Sequence, residues 1–210
     1  MNIANKISHF NRKRKWNLFT ENMSIDRTTK ILDVGFAYIE YSNVDNFLEL
    51  TYPYLQNITA LGIMGKENFQ KKFPLVKVVL YDGKTFPFDN DHFDICWSNA
   101  VIEHVGDFEK QIYFVKEMNR VAQHVFFTTP NKFFPIEVHT RTPLLHLLSK
   151  TLFEKYLGLT GKKWATGNYM NLLTKKQIIK ILRSAKIDNY KIIRNRLLGF
   201  TLDFVIIINS

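Results

Sequence analysis

The chain has 210 residues, 46% hydrophobic and 23% charged, with a formal net charge of +10. That size and balance suit one α/β domain with a sizeable core rather than two domains. A single cysteine, Cys96, excludes an internal disulfide framework and argues against a cysteine-built zinc site, so no metal set is expected.

No window approaches the ~20 apolar residues of a membrane helix, and the N-terminus lacks an apolar run of signal length. A cytoplasmic location is the expectation. The basic excess would attract phosphate, nucleic acid or anionic headgroups. The lysines are spread along the chain, so a solvated Lys-rich surface is the favoured reading and a nucleic-acid partner is disfavoured.

Taken in chain order, residues 10–23 predict a basic amphipathic helix with Trp16, Phe19 and Met23 at helical spacing, within an N-terminal helical segment 1–29. KILDVGF is a buried strand closed by a glycine. VDNFLEL (44–50) reads as a helix, ITALGI (58–63) as a second strand, KENFQKKF (66–73) as a polar helix. VKVVLYDG (76–83) is a third strand ending in an Asp-Gly turn, and HFDICWSNAV (92–101) a fourth. Residues 108–122 place Ile112, Val115, Met118 and Val121 on one helical face, and HVFFTTP (124–130) is a fifth strand.

Strand alternating with helix predicts parallel βαβ units, a Rossmann-like doubly wound sheet. Residues 131–173 are too long for a plain connection and predict a lid with short helices, a substrate insertion. A helix follows, with Thr174 and Gln177 as a capping box, and two apolar runs around Gly199 predict a terminal strand pair. The expected fold is a mostly parallel seven-stranded sheet with an antiparallel C-terminal strand and a helical lid, in a single domain 1–210.

In open parallel sheets ligands bind at the carboxyl ends of the strands. Those ends carry Asp33 and Gly35, Ile63 to Gly65, Asp82 and Gly83, and Ser98 and Asn99. Acids and amides there suit a nucleoside bearing an amino acid. A dinucleotide is a poorer match, since no GxGxxG is present.

ILDVG, TALGI, YDGKTFPFDNDHFDICWSNAVIEHV and FFTTPN together resemble the class I S-adenosylmethionine-dependent methyltransferases. More narrowly the chain looks like a group with a PFxxxxFDxxxSNxVIEHV segment, often seen beside sugar-modifying enzymes. The resemblance covers roughly residues 27–140, and Tyr81 to Val105 is its specific part. It implies S-adenosylmethionine as cofactor and a small-molecule acceptor, with no statement about oligomeric state. It places Asp33 and Gly35 at the methionine part of the cofactor, and Phe36 and Ile63 among the cofactor-binding residues. Asp82 would accept from the adenine amino group, and Gly83 would let the backbone lie close to the purine. Ser98 and Asn99 would line the methyl-donor side, and Glu103 and His104 would open the substrate mouth.

The usual first loop reads DxGxGxG, whereas residues 33–39 read Asp-Val-Gly-Phe-Ala-Tyr-Ile. A β-branched Ile39 resists positive φ, so a rebuilt loop or an altered site is expected. Strand 2 ends in Ile63 rather than an acid for the ribose hydroxyls; Glu40 and Glu67 are the substitutes to hand. His104 and His139 are the acid/base candidates, with Glu137 either orienting His139 or a surface charge. Phe133 and Phe134 read as core, Trp164 and Tyr169 as core or acceptor platform. Arg12 to Lys15 read as a solvated helix face. Two competing readings stand beside the enzyme: a degenerate binding or scaffold protein of the same fold, and an RNA methyltransferase.

Overall fold

The computed structural model describes residues 3–137, 139–167 and 170–209, without the side chains of residues 3–5. The elements run α1 (Ile3–Asn22), β1 (Ile31–Val34), α2 (Phe47–Thr51), β2 (Ile58–Gly62), α3 (Lys66–Lys72), β3 (Lys77–Leu80), β4 (Phe93–Asn99), α4 (Phe108–Val121) and β5 (Ala122–Pro130). Then follow β6 (Ile136–Glu137), β7 (Thr142–Pro143), α5 (Lys150–Leu159), α6 (Lys175–Ser184), β8 (Tyr190–Leu197) and β9 (Phe200–Asn209).

Seven strands form one sheet in the order β3-β2-β1-β4-β5-β9-β8, as a Rossmann-like α/β fold. The sheet is mostly parallel, with one antiparallel strand from the C-terminal hairpin. That hairpin turns on Leu198 and Gly199 at φ 49° and 84°, the left-handed pair that suits a two-residue turn. β1 pairs in parallel with both β2 and β4, Asp33 lying opposite Ala60 and Trp97. β1 and β2 are buried at every position, as parallel strands covered on both faces must be.

The contacts divide into two compact units. One comprises the chain up to Asn99, Glu117–Phe127 and the end of β9 from Ile207; the other comprises Ala100–Lys116 and Thr128–Ile206. In the first, Phe19 of α1 meets Trp97 edge-on at 4.9 Å, and Trp97 stacks on Phe126 at 5.0 Å. Arg120 grips Glu117 and donates to the carbonyls of Phe86 and Phe88, while Phe86 N–H donates to Glu117 at 2.8 Å. This pins the segment before β4, so its Pro87-Phe88 pair is scaffold. In the second unit the Thr174–Gln177 capping box is present, and α6 buries Ile178, Ile181 and Leu182.

The expected elements are present with shifted ends. α1 begins earlier than residue 10. The helix expected at 44–50 starts only at Phe47, because Asn46 sits at φ 55° and serves the preceding loop. β3 stops at Leu80, because Asp82 Oδ1 accepts from Lys84 N–H at 2.9 Å and Gly83 turns at φ 79°. The 131–173 stretch holds α5 and two short 3-10 turns as expected, and also the β6–β7 hairpin, which was not.

Candidate functional site

The first unit gathers every residue expected to hold the donor. The parallel register aligns the carboxyl ends of β1, β2 and β3, Val34 pairing with Leu61 and Gly62 with Leu80. Gly35 turns at φ 92° and donates its N–H to Leu61 O at 2.9 Å.

The loop after it takes a path of its own. Among the described residues of 36–45 none has positive φ, so Ile39 avoids the conformation closed to it, and it lies 46% exposed. Asn46 pins the loop: its amide accepts from Ala37 N–H at 2.7 Å and donates to Ala37 O at 2.9 Å and Glu40 Oε1 at 2.8 Å. The Phe36 ring is buried against Phe69 at 4.4 Å. A Cβ on Gly62 would lie 2.5 Å from that ring, and one on Gly65 would collide with the Tyr38 side chain. Room for the loop's bulky side chains thus comes from glycines on the β2 side.

Asp33 is buried and hydrogen-bonded to a second buried carboxyl, Glu49 of α2. Burial pushes Asp33 up to about 7, against opposing contributions from that hydrogen bond and from the Arg12 charge. Burial, reinforced by the charge of Asp33, pushes Glu49 well above the usual carboxylate range. Neither Glu49 oxygen accepts from an ordinary donor, so a proton shared with Asp33 is what satisfies the pair.

Asp82 is exposed, as is Ile63 at 61%. A Cβ on Gly83 would sit only 3.8 Å from Ile63 Cγ2, so an apolar side chain and a bare backbone lie side by side with a carboxylate next to them. Ser98 is placed differently from expectation: it is buried and its hydroxyl donates to Val34 O at 3.1 Å, tying β4 to β1. Asn99 accepts from Lys15 Nζ at 3.1 Å. The basic helix is therefore not only a solvated face, since Lys15 is buried and Arg12 pairs with Asp45 at 3.4 Å. Of the two substitute acids, Glu40 is held by Asn46 and Lys72, while Glu67 is exposed on the first turn of α3. Cys96 is fully buried and its thiol is pushed up by burial and the Asp33 charge, which makes it inert.

The second unit brings His104 and His139 together, their rings edge-on at 4.8 Å. Ala100 enters at φ 59°, its N–H donating to Thr128 O, and feeds a 3-10 turn over Ile102–His104. Glu103, expected at the substrate mouth, is fully buried; it accepts from Thr129 Oγ1 at 3.0 Å and stands 3.6 Å from His139 Nε2. No metal set was expected, yet Glu103, His104 and His139 place their ligand atoms within 4.8 Å of one another. Glu137 is not a surface charge: it is buried and accepts the backbone N–H groups of His139 and Thr140, fixing the loop that carries the imidazole. Phe133, expected in the core, is 64% exposed, and Trp164 is 53% exposed; Tyr169 lies outside the described residues. The carboxyl pair, Lys15 and the Glu103–His139 contact were missed by sequence reasoning. The one signal for the last was Glu103 beside His104.

Among the described residues no helix is long and apolar enough to cross a membrane. Residues 54–124 match the model of a methyltransferase domain. No curated protein matches the chain. Among solved structures, the CurJ carbon methyltransferase superposes with a TM-score of 0.61 at 12% identity, covering 95% of this chain and 53% of that one. This chain therefore spans about half the length of that relative. A Mesorhizobium loti S-adenosylmethionine-dependent methyltransferase gives 0.62 at 12% identity, covering 93% and 97%. A Haemonchus contortus phosphoethanolamine N-methyltransferase, solved with phosphomonomethylethanolamine and S-adenosylhomocysteine, gives 0.57 at 14%, covering 87% and 39%. Residues 54–124 are thus similar to a methyltransferase domain, and the chain shares the fold of the S-adenosylmethionine-dependent methyltransferases on which it superposes.

Proposed function

We propose that the chain transfers a methyl group from S-adenosylmethionine to a small-molecule acceptor, an oxygen or nitrogen on a sugar or glycoconjugate. The observation that carries this reading is the carboxyl edge of β1–β4, whose residues suit each part of the donor. Ile63 and the bare backbone of Gly83 offer a flat slot for a purine, with the Asp82 carboxylate to accept from its amino group. The buried Asp33–Glu49 pair suits an ammonium group. Arg12 and Lys15 bring cations for a carboxylate, Gly35 a tight backbone turn, and Glu67 an acid for ribose hydroxyls. Phe36 contributes its backbone, since its ring is packed. Ser98 acts by holding β4 to β1, and Asn99 is positioned by Lys15.

S-adenosylmethionine supplies an electrophilic methyl group on a sulfonium. Such transfer needs mainly alignment and exclusion of water. His104 and His139 are assigned to take the proton that the acceptor gives up. Exposed Phe133 and Trp164 of the 131–173 segment are assigned to the acceptor. The sugar rests on the likeness of Tyr81–Val105 to a group found beside sugar-modifying enzymes.

Isothermal titration with S-adenosylmethionine and S-adenosylhomocysteine tests this. Micromolar binding that Asp82→Ala weakens is expected. No binding by folded protein would replace the enzyme with a scaffold of the same fold, a reading favoured by the bulky Phe36 and Tyr38 and by the missing acid after β2. An RNA acceptor is disfavoured, because the lysines are spread along the chain and form no single basic block.

A further inference from the structure

We propose that Glu103, His104 and His139 bind one divalent first-row transition ion. One carboxylate oxygen and two imidazole nitrogens from these residues lie within 4.8 Å of one another. Ligands about 2.1 Å from a common ion are roughly 3–3.5 Å apart, and Glu103 Oε1 already stands 3.6 Å from His139 Nε2. Binding would require the part-exposed His104 and His139 to turn towards the ion and close the remaining distance.

The buried carboxylate argues for a cation. Glu103 is 0% exposed; Oε2 accepts from the Thr129 hydroxyl, while Oε1 accepts no hydrogen bond. A buried carboxyl oxygen left without a partner is costly unless a donor or a cation satisfies it. The supports are those of a ligand set. Thr129 orients the carboxylate, Asn171 N–H donates to Glu103 O at 2.7 Å, and Glu137 holds the backbone at His139. Such outer partners commonly fix first-sphere ligands.

Two imidazoles and a carboxylate suit manganese, iron, cobalt, nickel or zinc rather than calcium, which prefers oxygen. Three protein ligands leave positions open for an acceptor oxygen. The use of the ion rests on the methyl-transfer reading; its binding does not. A bound acceptor hydroxyl would ionise more readily. Its proton goes to solvent, its oxygen pair forms the new O–CH3 bond, and the breaking C–S bond leaves its pair on sulfur. The imidazoles then act as ligands in place of proton acceptors.

The test uses the full chain, stripped with chelator and titrated with Mn(II), Co(II) and Zn(II) in the absence of S-adenosylmethionine. Free Mn(II) is read by electron paramagnetic resonance, Co(II) by its ligand-field absorption and Zn(II) by chelator competition. One ion per chain is expected. His139→Ala and His104→Ala, folded by circular dichroism, should lose at least tenfold in affinity, and Thr129→Val should weaken binding about tenfold. Stoichiometric binding without S-adenosylmethionine binding would uphold the site and remove methyl transfer as its use. No stoichiometric binding of any of the three ions by folded wild type would overturn the site. So would binding that both histidine variants retain unchanged.

Discussion

Replacing Asp33 by asparagine probes the centre of the donor edge. Asp33 and Glu49 are 6% and 3% exposed, and burial holds Asp33 at about 7 and Glu49 well above its ordinary value. In the unfolded chain both ionise near pH 4. From there up to about 7 the native state keeps protons that the unfolded state has released. The stability this gives is complete below the unfolded pKa and is lost as pH rises through the folded one. Each carboxyl so held contributes a slope of about 1.4 kcal/mol per pH unit. For Asp33, between 3.8 and about 7, the loss accumulates to roughly 4 kcal/mol. That is a large part of the ~5–15 kcal/mol that holds a typical domain together.

Asp33→Asn keeps the shape, removes one titration and supplies an N–H for Glu49. Urea unfolding of both proteins at half-unit steps from pH 5 to 8.5 reads the difference. The variant should gain steadily on wild type as pH rises from 5 to 7 and gain less beyond it. A difference that stays constant between pH 5 and 7 would refute the protonated pair. The same pair sets the pH dependence of ligand binding. An ammonium group against Asp33 favours its charged form. Binding of S-adenosylmethionine should therefore release a proton and tighten as pH rises from 6 towards about 7, the value at which Asp33 titrates.

Other perturbations separate ligand contacts from scaffold. Asp82→Ala should weaken S-adenosylmethionine about tenfold or more by calorimetry, whereas Asp82→Asn, which keeps the acceptor for Lys84 N–H, should bind nearly as wild type. Equal binding by all three proteins would make Asp82 only a turn residue. Gly62→Ala forces a methyl to within 2.5 Å of the Phe36 ring and should cost about 1–3 kcal/mol in urea unfolding. On a Phe36→Ala background the same change should cost little. Ser98→Ala strands the Val34 carbonyl and should cost about 1–2 kcal/mol without changing cofactor affinity.

Much of the frame was legible because its signals are local. Ile112, Val115, Met118 and Val121 recur at helical spacing and are all buried. Thr174 and Gln177 lie three residues apart and cap α6. The site's electrostatics were not, because its partners are distant in sequence. Glu49 reads as the polar side of a short helix until folding buries it on Asp33. Lys15 lies in a run of four basic residues, and only the fold shows that it reaches Asn99, 84 positions on. Phe133 failed the other way: hydrophobicity placed it inside, and the turn after β5 leaves it 64% exposed.

The loop after β1 shows why residue identity alone misleads at a turn. Glycine serves there for two separable reasons, positive φ and vacant space. Gly35 retains the first at φ 92°, and Asn46 at φ 55° supplies a second left-handed residue further along. Asparagine tolerates that conformation and its amide bonds the Ala37 backbone, so hydrogen bonds hold the loop's main chain while Phe36 packs on Phe69. The vacant space moves to Gly62 and Gly65, opposite Phe36 and Tyr38. Ile39 then needs neither property and lies part-exposed at the surface. Whether such a loop still admits a donor is decided at its backbone. Gly35 and Asn46 control that backbone, and restoring glycine at Ala37 or Ile39 would loosen it without adding room.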